Sequence, residues 1–325
     1  MSPVRRWWPA ALFGAVATPV VLALGAVLWA PAAGLDVRTP LAQLGAFRPQ
    51  IAFVAFTAGV CAVLVPWRPA RIAGLACALV AASAVPQIAP RAVADLAAGP
   101  ADLTVLSVNV FLSQADAAAV ARLAVGHEAD VVALPEGSAP FAAEVVRLAA
   151  ADGVAYLSET GGPDMPADGG GPFPTSMLVR ADRAPRFVPG PPLRYGTVSA
   201  VVGPVTVTAV HPTAPVPGAE QAWRDDHAPL VAECARGGPL LLVGDFNSTL
   251  DQSPMRAILA AGCRDAGEIA GRGLAGTWPA RTARPLRVPI DHVLLTPGAG
   301  EVTGYALVDV PHTDHRGLLV TIRTR

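Results

Sequence analysis

Pro239-Leu-Leu-Leu-Val-Gly-Asp-Phe-Asn247 is an apolar run that stops on a glycine, a carboxylate and, two residues later, a carboxamide. It reads as an all-apolar strand that delivers polar groups to its carboxyl end. Side chains two apart on an extended chain point the same way, so Asp245 and Asn247 can address one ligand together. Alone the pair is ambiguous, because Asp and Asn two residues apart also make ordinary turns.

The same event recurs on both sides of this run. Residues 103–110 form an apolar, β-branched strand ending at Asn109, residues 115–125 have helical composition, and residues 129–136 form a second strand ending at Glu136. Strand, helix and strand in close succession predict a right-handed parallel crossover, with Asn109 and Glu136 as neighbours at one sheet edge. Residues 205–211 alternate apolar and polar side chains up to His211. Strands are further expected at 175–179, 198–202, 288–295 and 312–322, and helices at 141–151, 221–235 and 253–261. Residues 161–174 read as a Gly/Pro-rich loop, and no internal repeat is visible in the sequence. This alternation predicts an α/β layered domain.

Residues 1–90 differ in kind. Residues 7–30, 51–65 and 72–88 are apolar and free of charge, and each lies near the roughly 17–25 residues a membrane-spanning helix needs. Arg5 and Arg6 ahead of the first run also fit a cleaved signal peptide. The length of that run and the two that follow favour three transmembrane helices. Arg5, Arg6, Arg68 and Arg71 flank the spans tightly and belong inside by the positive-inside tendency, which puts everything after Arg91 outside the cytoplasm. Three pieces are thus expected: a membrane domain over 1–90, a linker over 91–101 rich in Pro, Gly and Ala, and a catalytic domain over 102–325.

Seven of the 24 basic residues and two of the 25 acids precede Asp102, leaving 17 against 23 in the outer domain, a balance of about −6. A nucleic-acid binder carries the opposite sign, so a nucleic-acid partner is less expected. Cys234 and Cys263 flank the Asp245 strand and, outside the cytoplasm, are candidates for a disulfide that sequence alone leaves open. No protein partner is inferable.

The polar residues at strand boundaries are Asn109, Glu136, His211, Asp245 with Asn247, Asp291, and Asp314 with His315. Singly each has an ordinary reading as a cap, a turn or a core histidine; together they fall in one order along the chain. That order, with Gly244-Asp-Phe-Asn247, Ile290-Asp-His292, Thr313-Asp-His315 and Leu134-Pro-Glu136, resembles the endonuclease/exonuclease/phosphatase superfamily of metal-dependent phosphoesterases. Thr313 stands where that superfamily usually has Ser, and Pro135 where it commonly has Gln. The resemblance covers residues 103–322 and implies two packed mixed β-sheets flanked by helices, a four-layer α/β sandwich.

It also implies roles. Glu136 is the principal ligand of Mg²⁺, with Mn²⁺ the alternative ion, and Asn109 and Asp314 are close by. Asp245 orients or deprotonates the attacking water, and Asn247 donates to a phosphoryl oxygen. His315 faces the scissile phosphate with Asp291 holding its ring, and His211 is a second phosphate-facing group. Which histidine acts as acid is open. His292 faces away from Asp291 by strand alternation, His227 is expected on a helix surface, and His312 lies near the site in sequence. Three spans ahead of such a domain are similar to VanJ-type membrane phosphatases of teicoplanin resistance, which implies a lipid-linked substrate, undecaprenyl pyrophosphate. A surface nuclease and a phospholipase C- or sphingomyelinase-like phosphodiesterase are the alternatives.

Overall fold

The computed structural model describes residues 8–163 and 173–325 and divides the chain into two compact units, residues 1–90 and 91–325. Arg5 and Arg6, and most of the 161–174 loop, lie outside the described residues.

The first unit is helical: α1 (Trp8–Trp29), α2 (Leu41–Ala46), α3 (Arg48–Leu64), α4 (Arg68–Ala82) and α5 (Val85–Ile88). The expectation of three membrane spans is corrected here. Among the described residues, only Pro9–Trp29 and Arg68–Ala92 are long and apolar enough to cross a membrane. The 17 residues of α3 rise only about 25 Å at ~1.5 Å each, less than the ~30 Å of a hydrocarbon core. Its first residue is also a buried charge: Arg48 Nε donates to the Leu28 carbonyl at 2.7 Å and Nη2 to Gln87 Oε1 at 2.7 Å.

Among its described residues the second unit holds twelve strands, β1 (Leu103–Ser107), β2 (Val131–Pro135), β3 (Tyr156–Gly161), β4 (Thr175–Arg180), β5 (Arg186–Val188), β6 (Thr197–Val202), β7 (Val205–Val210), β8 (Leu240–Asp245), β9 (Arg264–Asp265), β10 (Asp291–Leu295), β11 (Glu301–Asp309) and β12 (Arg316–Arg323). Its helices are α6 (Ala117–Gly126), α7 (Ala139–Ala151), α8 (Glu220–Arg236), α9 (Ser253–Ala260) and the short α10 (Ala266–Ile269).

The strands form two six-stranded sheets, β11-β12-β1-β2-β4-β3 and β5-β6-β7-β8-β10-β9. Each is built on one parallel pair, β1–β2 or β7–β8, and every other pairing is antiparallel. Val105, Val131, Met177, Val207, Val243, Val293 and Val320 meet between the sheets. On the outer face of the first sheet, Leu106, Val132 and Leu178 pack under α6 and α7; Leu242 and Leu294 pack under α8 and α9 on the second. Central strands are therefore covered on both faces, which is why β2 and β8 read as unbroken apolar runs. Two mixed sheets between helices make the expected layered sandwich.

This topology makes a single rim. The carboxyl ends of β1, β2, β7 and β8 lie beside the amino ends of their antiparallel neighbours β10 and β12, as Asp291 opposite Asp245 illustrates. Gly244 is needed at that rim: its φ is 149°, and a Cβ there would stand 2.1 Å from the Val210 carbonyl oxygen on β7.

Residues 91–101, read from sequence as a linker, instead run along the second unit. Arg91 is buried and pairs with Asp251 at 2.7 Å, while the Asp95 and Ala97 amides donate to the Ile269 and Val302 carbonyls. Edge-strand pairing and that buried ion pair hold a stretch whose composition alone suggested a tether.

Candidate active site

The strand ends carry their polar side chains into one connected cluster. Asn109, two residues past β1, donates from Nδ2 to Glu136 Oε1 at 3.1 Å and to Asp245 Oδ2 at 2.9 Å. His211 Nε2 stands 3.8 Å from both Glu136 Oε1 and Asp245 Oδ2. His315 Nδ1 bonds Asp291 Oδ2 at 2.9 Å, and its Nε2 lies 3.7 Å from Asp245 Oδ2 and 3.9 Å from Asp314 Oδ1. The Asn247 amide donates to Asp245 Oδ1 at 2.8 Å, and its Nδ2 to the Pro212 carbonyl at 3.0 Å.

Backbone strain is concentrated here. Phe111, Leu112 and Ser113 have φ of 45°, 55° and 62°, Glu136 has 61° and Asn247 48°. Left-handed conformations in such residues cost roughly 1–3 kcal/mol each. The left-handed turn aims two amides at the site: Phe111 N–H donates to Asn109 Oδ1 and Leu112 N–H to Glu136 Oε2, both at 2.9 Å. Thr313 ties the last strand to the first, since its hydroxyl donates to the Asn109 carbonyl at 2.7 Å and accepts from the His315 amide at 3.1 Å.

Burial and charge set the protonation states. Burial, then the neighbouring charge of Asp291, pushes Asp245 up to about 6 against the pull of His315 and His211. Burial raises Glu136, partly offset by the hydrogen bonds from Asn109 and Leu112. Burial opposes the charged form of His315, but Asp291 and Asp245 outweigh it and lift the ring to about 10. Burial lowers His211, against the pull of Asp245.

Glu136, Asp245, Asp291 and Asp314 are four carboxylates around two imidazoles, a donor set that favours a hard cation. Asp314 Oδ1 is buried and has no hydrogen-bond partner, and burial destabilises the Glu136 carboxylate. The unpartnered Asp314 oxygen and the desolvated Glu136 carboxylate fit a divalent ion. Asn109, expected as a ligand, presents its amide nitrogen to the carboxylates, and its oxygen accepts from the Phe111 amide. Asp245, Asp291 and His315 also offer ligand atoms within 4.8 Å of one another.

Three partners had little or no signal in the sequence. Trp278 Nε1 donates to Asp314 Oδ2 at 2.9 Å. The Tyr195 ring lies 5.4 Å from that of His211. Asp226 on α8 accepts from the Thr213 amide and hydroxyl, fixing the turn after His211. Tyr195 and Trp278 sit in loops without periodicity, where no pattern marks a side chain as inward. His227, expected at the surface, is buried and donates from Nδ1 to the Trp223 carbonyl at 2.7 Å. The helix turns it inward beside Asp226 because its opposite face meets solvent. His292 points away from the cluster, bonded to Asp265 at 2.8 Å and to the Ser248 carbonyl at 2.9 Å.

The Endonuclease/Exonuclease/phosphatase family model matches residues 106–315, a span that contains every residue of this cluster. The chain belongs to that family. Its members are metal-dependent hydrolases of phosphoester bonds. The fold is similar to that of D. rerio TDP2 complexed with a single-strand DNA product, at TM-score 0.53 and 17% identity, covering 68% of this chain and 99% of that one. It is also similar to an AP endonuclease from Archaeoglobus fulgidus, at TM-score 0.53 and 13% identity with 68% and 99% covered. A family protein from Bacteroides vulgatus aligns at TM-score 0.52 and 15% identity, with 69% and 99% covered. No curated protein sequence matches the chain.

Proposed function

We propose that the chain is a membrane-anchored, Mg²⁺-dependent phosphatase whose catalytic unit lies outside the cytoplasm and hydrolyses a lipid-linked pyrophosphate, undecaprenyl pyrophosphate first among them. The observation that carries the hydrolase part is the contact of Asp245 with Asn109, His211 and His315 on one rim. Support for the location comes from the apolar helices and from the disulfide Cys234–Cys263, with Cα atoms 5.5 Å apart, since disulfides persist in oxidising compartments. A catalytic unit tethered at a membrane meets lipid phosphates at high effective concentration.

Glu136 and Asp314 would hold the ion, which when bound neutralises charge on the phosphoryl oxygens. Asp245, its pKa pushed up by burial, is a stronger base than an ordinary aspartate while still ionised at neutral pH. It takes the proton of the water that attacks phosphorus. His315, kept protonated by Asp291, turns its Nε2–H toward the developing phosphoryl charge. Asn247 keeps one amide hydrogen beyond that given to Pro212 and directs it to a second phosphoryl oxygen. The bond to the bridging oxygen breaks, and the lipid monophosphate and inorganic phosphate leave.

The test compares Mg²⁺-dependent phosphate release from a polyprenyl pyrophosphate with nicking of DNA by the same preparation. Phosphate release lost on Asp245→Ala is the expected result. Release that survives the substitution overturns the assignment, and DNA nicking without release makes the chain a nuclease.

A further inference from the structure

The outer domain is acidic, yet residues 270–290 contain Arg272, Arg281, Arg284 and Arg287 and no acid. The segment is held against the active site. Its base is closed by paired backbone bonds between Trp278 and Val288, the Ala280 amide donates to the Asp314 carbonyl at 2.6 Å, and the Arg316 amide donates to Thr277. The Trp278 indole reaches the Asp314 carboxylate.

The arginines line two cavities that share a wall. One, of about 360 Å³, is bordered by Arg281, Arg284, Arg287 and Arg316 together with Thr313 and His315. The second, of about 460 Å³, shares Arg284, Arg287 and Arg316 and adds Arg272. Asp309 is the acid among the residues bordering the first, and it is engaged by Arg316 at 2.6 Å. Among the described residues, no carboxylate pairs with Arg281 or Arg284. Arg287 Nε is held by the Thr282 carbonyl at 3.0 Å, which stiffens that wall.

Planar guanidinium groups such as those of Arg281 and Arg284, which no carboxylate among the described residues pairs, suit phosphate oxygens. We propose that Arg281 and Arg284, supported by Arg287 and Arg316, form a subsite for a second phosphate group of the substrate, next to the one that reacts at His315. This deepens the phosphatase reading and rests on it for the identity of the reacting phosphate. The ligand chemistry is a diphosphate, carried by a lipid or free as inorganic pyrophosphate. A single-phosphate ester leaves the subsite unused.

Two measurements test this on the full chain in detergent with Mg²⁺. In the first, calorimetry compares inorganic pyrophosphate with inorganic phosphate. Wild type is expected to bind pyrophosphate about tenfold more tightly, and the double variant Arg281→Ala/Arg284→Ala is expected to lose that preference. Equal binding of the two anions by wild type, or an unchanged preference in the variant, overturns the subsite. In the second, kcat/KM for farnesyl pyrophosphate, for inorganic pyrophosphate and for p-nitrophenyl phosphate is compared between the two proteins. The ratio of diphosphate to monoester is expected to fall about tenfold in the variant, while Arg147→Ala on the distant α7 leaves it unchanged. A fall confined to farnesyl pyrophosphate names the lipid form as the ligand, and a fall for both diphosphates names the diphosphate itself. A ratio that does not move overturns the proposal. Wild type that hydrolyses none of the three defeats the phosphatase reading, and the calorimetry then still decides the subsite.

Discussion

Asp245 and Asp291 face each other across adjacent antiparallel strands, and one histidine is shared between them. His315 Nδ1 bonds Asp291 at 2.9 Å while its Nε2 stands 3.7 Å from Asp245. Two buried acids side by side repel; the imidazolium between them relieves part of that repulsion and is itself held charged.

A pH profile follows directly. With Asp245 at about 6 as base and His315 at about 10 as the charged partner, kcat/KM should rise through about pH 6 and fall through about pH 10. Asp291→Asn removes a like charge from Asp245 and a counter-charge from His315, so both limbs should move to lower pH. The rate should drop by about 10²–10⁴-fold, the size of a lost acid–base contribution. An acidic limb that stays in place in the variant shows that Asp245 is not the base.

The contact between Trp278 and Asp314 should tune the metal site. Trp278→Phe keeps the ring and removes the N–H donor. The divalent-ion concentration for half-maximal activity is expected to rise about 10–100-fold, as for other hydrogen bonds to ligands. Metal titration of activity gives the answer, and an unchanged midpoint would take Asp314 out of the ligand set.

At Gly244 the prediction concerns folding. Alanine there meets the Val210 carbonyl at 2.1 Å and must adopt a φ of 149°. A loss of about 3 kcal/mol or more is expected from strain and overlap together. Thermal melts of the wild type and Gly244→Ala compare directly; equal midpoints would mean that β7 and β8 can part without cost.

Acid should act through His227, on the buried face of α8 with its pKa pushed down to about 4 by that burial. Between about pH 6.5 and 4 the unfolded chain binds a proton that the folded chain refuses. Stability therefore falls as pH drops through that window, by about 3 kcal/mol at ~1.4 kcal/mol per unit. His227→Gln should flatten this part of the curve of melting temperature against pH. A slope that persists in the variant assigns it to other groups.

The Cys234–Cys263 bridge closes a separation of 29 residues around β8. Loop-closure entropy gives it about 3–4 kcal/mol. Cys234→Ser/Cys263→Ser, or reduction of the wild type, should lower the melting temperature, and the double variant should no longer respond to reductant. A wild type indifferent to reductant would mean that the thiols are not bridged in solution.

Much of the catalytic unit was legible residue by residue. β2 and β8 are covered on both faces, so each is apolar up to the rim, and Glu136 and Asp245 stand at that change. The edge strands β3, β5, β9 and β11 escaped notice. Tyr156-Leu-Ser-Glu-Thr-Gly161 mixes buried and exposed residues without a period, because such strands join the sheet through backbone bonds that any side chain permits. The helix α3 was visible, but its shortfall in length and the inward turn of Arg48 were not.

By itself the sequence determined which chemical groups stand at the strand ends and in what order, since burial against helices and the opposite sheet selects residue types locally. Only the tertiary structure decided that Asn109 offers its nitrogen rather than its oxygen, that Trp278 reaches Asp314, that His227 is inside, and that arginines from 272 to 316 border adjoining cavities. Those outcomes depend on pairing register and on loops folding back across long separations. Backbone geometry and competition for hydrogen-bond partners settle them, and neither leaves a period in the chain.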